Sequence, residues 1–372
     1  MYLEKLILLN FKNYEEATLD LSPGINVLVG KNGSGKTNIL DAIYFLSLTK
    51  SAVSSADLHC VRLGQQFFML KGVYNKEGAP VEIAASFQAG KKILRENQQE
   101  YDRLSDHIGK FPVVLMSPDD TDLVKEGSEL RRKFFDGIIC QLDKVYLDHL
   151  ITYGQALKQR NSLLKIFYER GKIDMLALES YDRLLIQAGE YIYRARVKFI
   201  ADFEPVYQKY FSFLVLEGES TTLKYVSPLH ETEFEQGLKQ SRDKDLLLQR
   251  TSFGVHRDDF VFLMGVDALK KLGSQGQQKS FVICLRLAQF EMLRSKKGFN
   301  PILLLDDVFD KLDDSRIHRL LKLLGEGKGQ LLLTDARSDR TLALLEEAGL
   351  DALVFEVSNG VVKKQGNHAK KE

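Results

Sequence analysis

The sequence predicts an α/β protein. A mixed β lobe and a parallel-sheet core carry a phosphate-binding loop, and an α-helical hairpin lobe is inserted between their two halves. Three observations predict this. GKNGSGKT at residues 30–37 follows the apolar run INVLVG and precedes the apolar helical run TNILDAIYFLSLT. PILLLDDVFD and GQLLLTDAR are continuous apolar runs that end in acids, as parallel strands buried on both faces read. Between these regions, residues 129–211 place apolar side chains three and four apart, with Pro205 as the one proline.

Along the chain, LEKLILLNF reads as a short strand and INVLVG as a buried one ending at the loop. FFMLKGVY and VEIAASFQ read as strands joined by the turn NKEGAP, and FPVVLMSP as a strand stopped at Pro118. Two helical runs follow within Glu129 to Phe211, with apolar periodicity from Phe135 to Phe167 and from Met175 to Phe203, broken at ERGKID by Gly171. They predict an antiparallel pair, each helix roughly 45 to 60 Å long at 1.5 Å per residue. FSFLVLEGE, TTLKYVS and DDFVFLMG then predict strands, and LVFEVSNGVVKK a final strand pair. The expected domains are residues 1–118 with 213–372 as the head, 119–212 as the helical lobe, and a disordered tail over 364–372.

Composition narrows the function classes. Of 372 residues, 44% are hydrophobic and 28% charged, and the net charge is +1. Any nucleic acid must therefore meet local basic patches rather than a basic field over the whole surface. Cys60, Cys140 and Cys284 are scattered and odd in number, which speaks against a disulfide framework or a zinc site. MYLEKLILLNF carries a charge pair within its apolar stretch and does not read as a signal peptide; ILLL at 302–305 is too short to span a bilayer. A cytoplasmic protein with no membrane partner is expected.

The chemistry begins with the loop. G-x-x-x-x-G-K-T between strand and helix is the context in which backbone N–H groups of Gly30, Lys31, Asn32, Gly33, Ser34 and Gly35 wrap a phosphate. Lys36 would reach the β- and γ-phosphates of ATP, and the Thr37 hydroxyl would hold Mg2+. Asp306, leaving the ILLL strand at its carboxyl end, is the matching Mg2+ acid. Asp307 beside it is the candidate catalytic acid, able to polarise an attacking water. GSQGQQK at 273–279 is a second helix start suited to an anion. One ATP has one γ-phosphate, so this loop, with Ser274, Gly276 and Gln277, would cap the ATP of a second copy in a two-fold homodimer. The bland reading is an ordinary helix cap in which Ser274 serves its own helix.

Together G-x-x-x-x-G-K-T, S-x-G-Q-Q and the apolar run ending in DD, followed by FDKLD, resemble the ABC-type ATPase heads of the SMC class. Within it, NFKNYE, SPDDTDLVKEGSELRRKFFD, YGQALKQRNSLLK and GVHRDD resemble the RecF family over nearly the whole chain. The resemblance implies an ATP-dependent DNA-binding protein of recombinational repair. In that family ATP-driven dimers bind DNA and, with RecO and RecR, help load RecA at single-strand gaps, supporting replication and the SOS response. It implies that Lys12 and Asn13 approach the nucleotide phosphates, and that Asp313 sits in a loop crossing the dimer interface. Three departures stand out. The Gln usual after VVLMSPDD is missing, Asp335 stands where a His is usual, and Ala52 and Val53 follow Ser51 where a basic residue is common. The first two imply slow hydrolysis, a timer rather than a motor.

For DNA, the candidate contacts are Arg131, Arg132 and Lys133, Lys158 with Arg160, Arg194 with Arg196 and Lys198, and KKILR at 91–95. A solvated helix face is the competing reading of each. For Arg257, pairing with Asp258 or Asp259 is the structural alternative to a functional role. A small-molecule phosphotransferase would explain the loop and Asp306 but leave GSQGQQK without a task. A transporter ATPase subunit fits the helical insertion poorly.

Overall fold

The computed structural model describes residues 1–214, 220–308, 314–325, 329–336 and 338–368. They fall into two compact units, residues 1–120 with 283–372, and residues 121–282.

The first unit opens with β1 (Tyr2–Phe11) and β2 (Tyr14–Asp20), joined at Lys12 and Asn13. β3 (Ile25–Val29) leads through the phosphate loop into α1 (Lys36–Leu48). β4 (Phe67–Lys76), β5 (Ala79–Gln88), β6 (Lys91–Glu96) and β7 (Gln99–Glu100) form a meander, and β8 (Val113–Met116) follows. The antiparallel sheet has the order β2-β1-β4-β5-β6-β7. In β1, Leu3 and Leu6 both face the core although they are three apart, because the β1–β4 register shifts between Leu3 and Lys5. Phe11, Phe45 and Phe68 meet edge to face beneath this sheet, tying β1, α1 and β4 together. The β4–β5 turn is shorter than NKEGAP suggests. Glu77 (φ 55°) and Gly78 (φ 86°) alone make it, both left-handed, as a tight hairpin turn requires.

The second unit holds α2 (Asp122–Lys125), α3 (Ser128–Leu142), α4 (Lys144–Arg170), α5 (Met175–Leu214), β9 (Thr221–Val226), α6 (Phe234–Leu248), β10 (Asp259–Met264), β11 (Asp267–Ala268) and α7 (Leu269–Leu272). α8 (Gln275–Lys297) begins in this unit and ends in the first. There β12 (Ile302–Asp306), α9 (Asp314–Gly325), β13 (Leu331–Asp335), α10 (Ser338–Glu347), β14 (Ala352–Ser358) and β15 (Val361–His368) complete a second sheet, ordered β15-β14-β3-β13-β12-β8. All its pairings are parallel except β14 with β15. The runs ILLLD and LLLTD are buried throughout, as two-sided strands should be.

Five expectations need correction. The first helical run is two helices, because Asp143 leaves helical geometry and its carboxylate accepts from the Tyr146 N–H to cap α4. FSFL at 211–214 continues the 40-residue α5, through Pro205, rather than starting a strand; residues 215–219 lie outside the described residues. α6 stands where no element is expected. Residues 213–282, assigned above to the head, belong to the helical unit. Phe260 of β10 stacks on Phe135 of α3, Phe262 meets Phe281, and Arg196 of α5 pairs with Asp258. Strand propensity reveals a strand but not which core it covers. Finally, residues 364–368 of the expected tail extend β15, with His368 opposite Ala352.

His107 is fully buried in the first unit, its ring nitrogens against the Leu46 carbonyl (2.7 Å) and the Tyr101 hydroxyl (3.2 Å). Burial lowers its pKa from 6.5 to about 4. The unfolded chain therefore takes up a proton below about pH 6.5 that the folded chain refuses until about pH 4. The resulting stability is complete above the upper value and is lost as the pH falls toward the lower. Urea unfolding at pH 7.5 and 5.0 should show the wild type losing about 2 kcal/mol more than His107→Gln. Equal losses would contradict a neutral buried imidazole.

Candidate nucleotide-binding site

The site is built at the carboxyl edge of the parallel sheet. β3 leads into Gly30, whose close approach to the neighbouring strand forbids a side chain: a Cβ there would lie 2.2 Å from the Val357 carbonyl. At Gly35 (φ 115°) a Cβ would strike Asn13 at 2.5 Å and the Tyr14 hydroxyl at 2.8 Å. Tyr14 is buried and donates to the Gly35 carbonyl (3.0 Å), so β2 fastens the loop from below. Asn13 donates to the Ser34 carbonyl (3.1 Å) and accepts from Asn38 (2.7 Å). Lys36 is buried at the start of α1, and its ammonium donates to the carbonyls of Gly30 (2.7 Å) and Lys31 (3.2 Å). Lys31, Asn32 and Gly33 form the exposed rim. The Ser34 hydroxyl oxygen is buried with no hydrogen-bond partner among the described residues, a need that a phosphate oxygen would meet.

Parallel pairing of β13 with both β3 and β12 brings Asp306 to the same edge. The Thr37 hydroxyl lies 3.0 and 2.9 Å from the two Asp306 carboxylate oxygens. Thr334 of β13 donates to Asp306 Oδ1 at 2.7 Å. Burial raises the Asp306 pKa, partly offset by the hydrogen bonds of Thr334 and Thr37 and by the Lys36 charge, while Asp119 raises it further. A hydroxyl and a carboxylate in contact are the hard-oxygen pair that suits Mg2+, whose charge would favour the ionised acid. Asp307 follows in a left-handed conformation (φ 44°), its N–H bonded to the Thr334 hydroxyl at 3.0 Å.

Lys12, also left-handed (φ 52°), pairs with the buried Asp41 at 2.7 Å. The same carboxylate accepts from Ser51 Oγ (2.7 Å) and the Ala52 N–H (2.6 Å), so the segment without the usual basic residue is held by its backbone. Asp335 is buried and accepts from the Thr341 hydroxyl at the start of α10. In the region without the usual Gln, Asp120 accepts from the Ser117 N–H and pairs with Arg286. Sequence reading missed Tyr14, Asp41 and Thr334. Only their strand register or helix face brings them to the loop, and no residue pattern by itself gives them that role.

Ser274 is exposed at the start of α8. Its hydroxyl accepts from the Gln277 N–H (3.2 Å) and its own N–H donates to Gln277 Oε1 (2.7 Å), a reciprocal capping box. The bland reading of this serine therefore holds within one chain. A hydroxyl that accepts still has its proton to donate. Asp313 lies outside the described residues.

Two of the DNA-contact candidates, Arg160 and Arg196, are corrected, because both are buried. Arg160 is 0% exposed, held by Asp182 (2.6 Å), Asp245 (2.7 Å) and Thr251 (2.9 Å). Arg196 is buried between Asp136 and Asp258. Arg131 grips Asp259 with two bonds, and Arg132 donates to Ser128 and the Asp258 carbonyl. Lys92 is tied to Asp57 and Arg95 to Glu100. Lys133 pairs with Glu129 and Arg194 with Glu190 one helical turn away, both in solvent. Lys158 and Lys198 are exposed. Arg257 donates to the Thr251 carbonyl, since Asp258 and Asp259 are taken by other arginines. His256 is wedged between the Tyr153 hydroxyl and the Thr251 carbonyl, and burial lowers its pKa to about 4.

Removing Arg160 leaves the buried Asp245 without its cation and Asp182 with Arg242 alone, at 3.4 Å. Arg160→Ala should cost about 3–5 kcal/mol in urea unfolding. Lys158→Ala should stay within about 0.5 kcal/mol. A mild effect at Arg160 would contradict its place in the core.

Comparison with known proteins agrees with this geometry. Residues 2–348 match the family described as the RecF/RecN/SMC N terminal domain. The DNA replication and repair protein RecF of Cytophaga hutchinsonii is 44% identical, with 98% of this chain and 97% of that protein covered. That of Flavobacterium johnsoniae is 42% identical, covering 96% of this chain and all of the relative. A solved structure of the recombination mediator protein RecF with ATP in the RecFOR pathway superimposes with a TM-score of 0.88 at 30% identity, covering 98% of both chains. The Smc head domain of Pyrococcus furiosus shares the fold, with a TM-score of 0.57 at 18% identity, covering 98% of this chain and 95% of that one.

Proposed function

This chain belongs to the RecF family, and we propose on that premise that ATP drives two copies of it to close on DNA in recombinational repair. DNA gaps or double-strand–single-strand junctions are the substrates. RecO and RecR are the partners it assists in loading RecA, and replication and the SOS response depend on the outcome. The observation that carries the reading is the contact of Thr37 with both oxygens of Asp306, which joins the phosphate loop to its acid.

ATP sits in the loop of residues 30–37, with Lys36 released from the Gly30 and Lys31 carbonyls to meet the phosphates. Lys12 exchanges Asp41 for phosphate in the same way, and Asn13 keeps the Ser34 peptide in place. Thr37 and Asp306 hold Mg2+, which when bound supplies charge neutralisation at the β- and γ-phosphates. Asp307 polarises the attacking water. The exposed Ser274, with Gly276 and Gln277, meets the γ-phosphate held by the other copy, and Asp313 lies at the interface between copies.

The energetics favour a switch. A hydrogen bond to a charged group contributes about 1.5–3 kcal/mol. Two such bonds at each of two sites shift a monomer–dimer equilibrium by roughly a thousandfold or more. Hydrolysis removes the γ-phosphate and with it this differential. Turnover is slow, in keeping with a timer: Asp120, in the region without the usual Gln, is committed to Arg286, and Asp335, in place of the His, to Thr341. DNA meets exposed cations such as Lys158 and Lys133 rather than the buried arginines.

Light scattering tests this directly. With ATP and Mg2+ the wild type should double its mass, whereas ADP should leave a monomer. Lys36→Ala and Ser274→Arg should both remain monomeric with ATP. Normal dimerisation by Ser274→Arg would refute capping in trans.

A further inference from the structure

Thr334 touches both members of the acid pair. It lies at the end of β13, directly opposite Asp306 in the parallel register, and is 1% exposed. Its hydroxyl donates to Asp306 Oδ1 at 2.7 Å and accepts from the Asp307 N–H at 3.0 Å. A single hydroxyl therefore fixes the rotation of one carboxylate and the direction of the next peptide. That peptide leads into the left-handed Asp307 (φ 44°), a conformation uncommon for a residue with a Cβ.

We propose that Thr334 is a positioning residue for the metal-binding acid and for the adjoining Asp307. The inference rests on reading Thr37 and Asp306 as the Mg2+ pair. Thr37 contacts both oxygens of Asp306. As a Mg2+ ligand its hydroxyl would be turned from donor to Asp306 into donor of a lone pair. Asp306 would then keep one protein donor among the described residues, Thr334. Because Thr334 engages Oδ1 alone, Oδ2 keeps its lone pairs for the phosphate-loop side, where Thr37 lies 2.9 Å away. Without the hydroxyl, the carboxylate could rotate, and the half-buried Asp307 N–H would lose this acceptor. Mg2+ would then have to bear the cost of ordering the acid that receives it.

The test separates positioning from general support of the fold. Thr334→Val keeps the shape and removes the hydroxyl; Thr334→Ser keeps the hydroxyl and removes the methyl. Melting temperature is followed as Mg2+ is titrated at saturating ATP, and binding of a fluorescent ATP analogue is measured in EDTA. Thr334→Val should raise the Mg2+ concentration for half-maximal stabilisation about ten- to a hundredfold, the loss of one hydrogen bond to a charged group. Its affinity for the analogue in EDTA should stay within about threefold of wild type, and Thr334→Ser should restore the Mg2+ response. If Thr334→Val does not fold, Thr334→Cys, near in size with a weak donor, carries the test and should shift the Mg2+ requirement upward. An unchanged Mg2+ requirement in the folded variant overturns the role of Thr334 alone. A wild type that shows no Mg2+ response overturns the Thr37–Asp306 reading together with it.

Discussion

The arrangement of the first unit depends on parallel pairing in one sheet. β13 lies between β3 and β12, and all three run the same way. Their carboxyl ends must therefore emerge along one edge. β3 delivers the phosphate loop there, β12 delivers Asp306, and β13 delivers the Thr334 between them. Parallel strands need long crossovers, so residues about 270 apart in sequence become neighbours only through this sheet. The contact of Thr37 with Asp306 is the local result of that register, not an independent feature.

The loop itself is held by close packing on its outer side. Gly30 has no room for a side chain against Val357, and Gly35 has none against Asn13 and Tyr14. Tyr14, Asn13 and Lys12 come from the antiparallel sheet, so the β lobe supports the candidate nucleotide site as well as covering a core. Lys36 and Lys12 are both committed to protein oxygens, one to carbonyls and one to Asp41. Such a site is ready for anions without leaving two cations buried and unpaired, which would be costly.

The second unit solves a different problem. Its long helices carry buried arginines, and each is matched by more than one acid or hydroxyl. Arg160 links α4 to α5 and α6 through Asp182 and Asp245, and Arg196 links α5 to α3 and to the start of β10 through Asp136 and Asp258. These charges specify how helices and sheet come together, because any slip would leave a buried ion alone. The aromatic stack of Phe135 on Phe260 supplies the apolar part of the same junction.

The sequence by itself determined the phosphate loop, the acid at the end of ILLL, the buried parallel strands and the helical insertion. These rest on local signals: glycines at fixed spacing, a lysine and threonine at a helix start, continuous apolar runs and a helical period. Ser274 was legible as a helix start, and its capping partner Gln277 lies within the same short motif. Only the tertiary structure decided what each charged residue faces. Arg160 and Lys158 look alike in sequence, yet one is in a core and the other in water, because two residues on a helix point to different sides. It also decided that residues 213–282 join the helical unit, and that Tyr14, Asp41 and Thr334 belong to the site. Their roles come from strand register and long-range packing, which a single chain of letters does not encode locally.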